Sequence, residues 1–112
     1  MKQSLRDLIF ERDHHACYHC GTTEGLSIQH RANRGMGGSK LKDRPDNLIV
    51  FCSLANAEME ADAEAAGLAK VLGWKLGQWQ SYDFPVWSNW ENRWFVLTQD
   101  GQRLYSEPPL TH

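Results

Sequence analysis

A chain of 112 residues with a net charge of −2 is the size of one small domain, near the lower end of what buries an adequate core unaided. That balance by itself points to no polyanionic partner, no stretch is apolar over enough residues to span a membrane, and the first ten residues are too charged for a signal peptide. Three cysteines, an odd count with no export signal ahead of them, suit a reducing cytoplasmic compartment, where thiols are expected as metal ligands or core residues instead of disulfide partners.

Leu5, Leu8 and Ile9 recur at helical spacing with charged residues between them, which predicts a helix over residues 4–13 with Ser4 as its cap. Cys17-Tyr18-His19-Cys20-Gly21 follows as a knuckle. Leu26-Ser27-Ile28-Gln29-His30 alternates apolar and polar side chains, the pattern of a half-buried strand, on which Gln29 and His30 point to opposite faces unless a bulge intervenes. The Gly-rich run Arg34-Gly35-Met36-Gly37-Gly38-Ser39 is a loop, and Pro45 stops anything helical. A second strand over 48–51, opened by Asn47, is apolar without interruption and is expected to be buried on both faces. Ser53 caps a predicted helix that runs to about residue 72, favoured by its alanine content.

From Trp74 to residue 107 the composition turns aromatic and irregular. Its clearest signal is a β-hairpin, Trp94 to Thr98 and Arg103 to Tyr105, on a two-residue Asp100-Gly101 turn. The tryptophans there are read chiefly as core, with base stacking or docking to a protein partner as the alternatives.

Charge is distributed unevenly. Arg31, Arg34, Lys40, Lys42 and Arg44 face the single acid Asp43, and Glu58, Glu60, Asp62 and Glu64 follow closely. A basic loop beside an acidic helix suits a metal-dependent phosphodiester enzyme. It also suits two solvated surfaces with no function. Asn56 and Glu60, four residues apart, share one helix face and could grip a cation from one side.

In order, Arg12-Asp13, Cys17-x-x-Cys20-Gly21, His30-Arg31, the Gly-rich run, Asn47-Leu48-Ile49 and Cys52 resemble an HNH endonuclease of the small phage type, over about residues 12–62. The resemblance implies an α+β fold in one domain over 1–112: a ββα-metal finger with a cysteine knuckle, an N-terminal helix and a C-terminal aromatic hairpin. It implies that His30 is the general base that deprotonates water for in-line attack on a DNA phosphodiester, a task that suits an imidazole, ordinarily half-titrated near pH 6.5. It gives Asn47 the role of bracing the loop between the strands, through an amide that both donates and accepts.

The same resemblance assigns one divalent cation to Gln29, Asn56 and Glu60, and a structural zinc to Cys17, Cys20 and Cys52. Both metal sites depart from the pattern. Familiar members carry Asp or His before the base and His on the helix, whereas Gln29, Asn56 and Glu60 form an all-oxygen set that suits Mg²⁺ or Mn²⁺. The fourth zinc position is Ala55, so the fourth ligand falls to His14, His15, His19 or water, or the site stays empty and the thiols pack. Arg31, Arg34, Lys40, Lys42 and Arg44 are expected to follow DNA phosphates. The rival expectations are a non-catalytic DNA- or protein-binding module derived from the same finger, and an accessory subunit of a DNA-processing complex.

Overall fold

The computed structural model describes residues 1–32, 42–77 and 80–109, and within them an α+β arrangement of three helices and two small antiparallel sheets. Helix α1 spans Gln3–Arg12 and leads, through the knuckle, to strand β1 (Leu26–His30). A single 3-10 turn (Pro45–Asn47) then opens strand β2 (Leu48–Cys52), followed by helices α2 (Ser53–Ala61) and α3 (Ala63–Val71). Strands β3 (Val86–Ser88), β4 (Arg93–Leu97) and β5 (Arg103–Ser106) make the second sheet in that order.

β1 and β2 pair without a bulge, from Leu26 opposite Cys52 to His30 opposite Leu48. One face of this hairpin carries Leu48 and Val50, which pack with Ile28 against Ile9 of α1. The other carries Ile49 and Phe51, which meet Ala55 and Met59 of α2, Ala69 of α3, and Trp74, Val86, Phe95 and Leu97. β2 is therefore buried along its whole length, which is why its sequence is an unbroken apolar run.

The cap of α1 lies two residues before the expected one. Lys2 stands at the N-cap without a side-chain bond, and Ser4 lies inside the first turn. At the other end Arg12 and Asp13 are tied to β2: both carboxylate oxygens of Asp13 accept from Arg12, one accepts the Tyr18 hydroxyl at 2.6 Å, and the other accepts the Val50 N–H at 3.2 Å. Arg12 also donates to the carbonyls of Pro45 and Leu48. Burial lowers the Arg12 pKa, and the adjacent Asp13 charge more than reverses that, so the net shift is upward.

The expected single helix over 53–72 is two helices. Asp62 adopts an extended conformation (φ −123°, ψ 123°) and its side chain accepts the Glu64 N–H at 3.2 Å, which caps α3 and ends α2. The local side-chain bond outcompetes helix continuation despite the alanines on either side. The C-terminal sheet also departs from expectation. β3, too short and too close to Pro85 to be signalled locally, adds a third strand. The β4–β5 turn is a three-residue loop, 99–101, closed by Thr98 N–H to the Gln102 carbonyl at 3.0 Å, with Gly101 at φ +90°. Gly73 (φ +76°) lets α3 end against β3: a Cβ there would lie 2.0 Å from the Pro85 carbonyl oxygen. Glu91 and Arg103 lock the sheet with two parallel bonds of 2.8 Å.

Candidate active site and cysteine cluster

His30 closes β1, and its Nε2 lies 2.6 Å from Oδ1 of Asp43, with both side chains largely shielded (18 % and 15 % exposed). Asp43 was not among the residues expected in the site. The signal that would have found it was its place as the lone acid in the basic run from Arg31 to Arg44. Asn47 is fully buried. Its Oδ1 accepts the Ala32 N–H at 2.8 Å, and its Nδ2 donates to the carbonyls of Ala32 (3.3 Å) and Lys42 (3.0 Å). One amide thus joins the two positions that flank residues 33–41.

The unbroken register puts Gln29, opposite Ile49, on the sheet face that α2 covers, and His30, opposite Leu48, on the α1 face. Gln29 donates through Nε2 to Ser27 Oγ at 3.1 Å, so Oε1 is the atom it could offer a cation. α2 presents Asn56 and Glu60 one turn apart. The Asn56 Oδ1 is buried without a hydrogen-bond partner. A buried amide oxygen left so costs roughly 1–3 kcal/mol, and a cation is one group that satisfies it, so the donor chemistry fits a hard divalent ion. Glu60 is exposed, and its charge opposes the downward shift that burial imposes on the Lys75 ammonium, so the one carboxylate of the expected set has a cationic neighbour already.

Cys17, Cys20 and Cys52 converge, their sulfurs all within 4.8 Å of one another, a cluster that could bind a metal such as zinc. The Cys20 and Cys52 sulfurs are 3.7 Å apart. Zn–S bonds of about 2.3 Å in a tetrahedron set sulfurs roughly 3.8 Å apart, whereas a disulfide needs about 2.05 Å. Backbone N–H groups of His19 (3.3 Å) and Cys52 (3.2 Å) point at the Cys17 sulfur, and that of Ala55 (3.3 Å) at the Cys52 sulfur. Such donors stabilise thiolates. Burial nevertheless pushes the Cys17 thiol up to about 12 against them. For Cys52 the balance is reversed: burial raises its pKa, but the Ala55 N–H and the two neighbouring thiols bring it below the ordinary value.

Among the described residues no fourth His, Cys, Asp or Glu joins the cluster. His15 stacks on Phe10 at 5.6 Å and His14 lines a crevice with Phe95, Arg103 and Tyr105, so neither serves. His19 packs against Phe51 and Trp74, its Nδ1 buried without a partner, and it lines the cavity that Cys20, Cys52 and Ala55 also border.

The basic residues divide. Arg31, expected along DNA phosphates, is fully buried, and this corrects the expectation. Its guanidinium donates to the backbone carbonyls of Gly73 (2.8 Å), Asp46 (3.1 Å), Tyr82 (3.0 Å) and Phe84 (2.6 Å), joining the β1–β2 unit to the C-terminal half. Burial lowers its pKa to about 10, which still leaves it charged at neutral pH. Arg44 makes a two-pronged ion pair with Asp46 (2.7 Å each) and lies 4.7 Å over the Tyr82 ring, with a third of its side chain exposed. Lys42 is half-buried, and Arg34, Lys40, the Gly-rich run and Trp79 lie outside the described residues. Trp74 is core; Trp87 and Trp94 pack on each other at 5.4 Å, and Trp90 is exposed.

Scans against protein-family models, curated proteins and solved structures each returned no match. No helix among the described residues is long and apolar enough to cross a membrane.

Proposed function

We propose that this chain is a metal-dependent DNA endonuclease or nicking enzyme of the HNH type, built on a ββα-metal finger formed by β1, β2 and α2. The observation that carries the reading is the arrangement of His30 at the end of β1, Asn47 bracing the loop ends, and Asn56 on α2 with a buried, unpartnered amide oxygen. In-line displacement needs the attacking and leaving oxygens on opposite sides of phosphorus. A phosphate lying across the end of β1 would have His30 on one side and Gln29, Asn56 and Glu60 on the other, because the register sends Gln29 and His30 to opposite faces.

In the proposed reaction His30 takes a proton from water. The hydroxide oxygen bonds to phosphorus as the bond to the 3′ oxygen breaks, and the leaving oxygen is protonated from solvent. A bound Mg²⁺ or Mn²⁺ at Gln29, Asn56 and Glu60 would supply Lewis-acid stabilisation of the charge on the phosphate and leaving oxygen. Arg44, about a third exposed and stiffened by Asp46 and Tyr82, would meet the DNA backbone. A zinc at the three cysteines would hold the knuckle to the start of α2.

A second reading, a non-catalytic DNA-binding module, is favoured by one observation: Glu60, the only charged member of the cation set, stands beside Lys75. Incubation with supercoiled plasmid separates the two. The nuclease reading expects nicked circles that appear with Mg²⁺ or Mn²⁺ and vanish with EDTA. Duplex binding without nicking, under either metal, would leave the binding module.

A further inference from the structure

The carboxylate beside His30 belongs to none of the roles assigned above. Imidazole must present a lone pair to deprotonate water, and its two neutral tautomers present it from different nitrogens. Asp43 Oδ1 lies 2.6 Å from Nε2, a distance that belongs to charge-assisted hydrogen bonds. An ionised carboxylate only accepts, so in the neutral ring the proton sits on Nε2 and the lone pair on Nδ1. Partial burial of both side chains strengthens the bond relative to one in water.

We infer that Asp43 is the positioning residue for His30: it selects the Nε2–H tautomer, aims Nδ1 at the reacting water, and stabilises the imidazolium once that water has given up its proton. This inference rests on the nuclease reading for its catalytic consequence. In this scheme Asp43 takes up no proton, and the one taken at Nδ1 returns to solvent after the 3′ oxygen leaves. Asn47 joins the same device. Its Nδ2 bonds the carbonyl of Lys42, directly before Asp43, and its Oδ1 bonds the N–H of Ala32, two residues after His30. The backbone N–H of Arg31 donates to the Asn47 carbonyl at 2.8 Å. One buried amide therefore sets the separation of the imidazole and its carboxylate.

The test pairs a spectroscopic readout with a kinetic one on the full chain. Nitrogen-15 NMR of histidine-labelled protein should show neutral His30 protonated at Nε2, with that proton slowed in exchange. Asp43→Ala should lose the slowed proton, and Asp43→Asn, which keeps the shape and can donate instead, should shift the tautomer toward Nδ1–H. In plasmid nicking both variants should lose kcat, between about 10-fold and the roughly 10⁴-fold seen for the equivalent change in a serine protease triad, with KM little altered. A wild-type ring protonated at Nδ1, or Asp43→Ala with an unchanged ring signal, overturns the inference. So does a folded Asp43→Ala with kcat within twofold of wild type. A wild-type chain that nicks nothing refutes the nuclease reading, and the NMR result then decides by itself whether Asp43 holds the ring.

Discussion

Replacing Arg31 with Met keeps most of the buried stem and removes the guanidinium, so it isolates the four carbonyl bonds. Each hydrogen bond to a charged donor is worth about 1.5–3 kcal/mol, and four would sum to roughly 6–12. Removing the buried charge recovers several kcal/mol of desolvation, so a net loss of about 3–5 kcal/mol is expected, as when one side of a buried ionic contact is deleted. For a domain of this size, that lowers Tm by roughly 12–20 °C at about 4 °C per kcal/mol. The loss should concentrate at the junction of β1–β2 with the Gly73–Phe84 carbonyls. Urea unfolding followed by tryptophan fluorescence is the assay, with Trp74, next to Gly73, one of the five reporters. An Arg31→Met variant as stable as wild type, with duplex affinity reduced on every sequence and a salt slope lower by about 0.9, would show that Arg31 contacts phosphate and that the buried clamp is wrong.

Freshly purified protein should carry near-stoichiometric zinc, and Ala55→Cys should raise Tm and slow metal loss to a chelator; elemental analysis that finds no zinc would leave the thiols as core residues. Asn56→Asp should tighten Mn²⁺ binding in calorimetry while Asn56→Leu abolishes it, and equal isotherms for the two would remove Asn56 from the cation site. Burial alone would raise the Glu91 pKa, but Arg103 and Ser88 hold it below its ordinary 4.5. Because the folded pKa lies under the unfolded one, its stabilisation is full above about pH 4.5 and fades as pH falls through the folded value. Glu91→Gln should accordingly lower Tm at pH 7 and lose less between pH 5 and pH 3 than wild type; parallel melting curves would contradict the assignment.

The elements that sequence made legible are those whose cause is local. The unbroken apolar run of β2 follows from burial on both faces, and the strand and helix expected from the alternation in β1 and the spacing of Leu5, Leu8 and Ile9 are present, although β1 is evenly half-buried along its length and Leu8 is exposed. Convergence of Cys17, Cys20 and Cys52 was expected from the resemblance and is present. What sequence concealed depends on partners far along the chain. Arg31 sits after a histidine in a basic stretch, where a phosphate contact is the natural reading, yet three of its four acceptors lie 42 to 53 residues further on. Asp62 broke an alanine-rich helix because one side-chain bond to Glu64 outweighed propensity. Asp43 reads in the sequence only as the lone acid of a basic run, whereas its contact with His30, 13 residues away, is set by the tertiary structure.

The central claim, that His30 is the base of a phosphodiester hydrolase, is tested most directly by the single-turnover rate of plasmid nicking for wild type and His30→Ala at matched Mn²⁺, with matching circular dichroism spectra. Loss of a general base predicts a rate lower by about 10²–10⁴-fold with duplex affinity retained. Equal rates in the two proteins would contradict it.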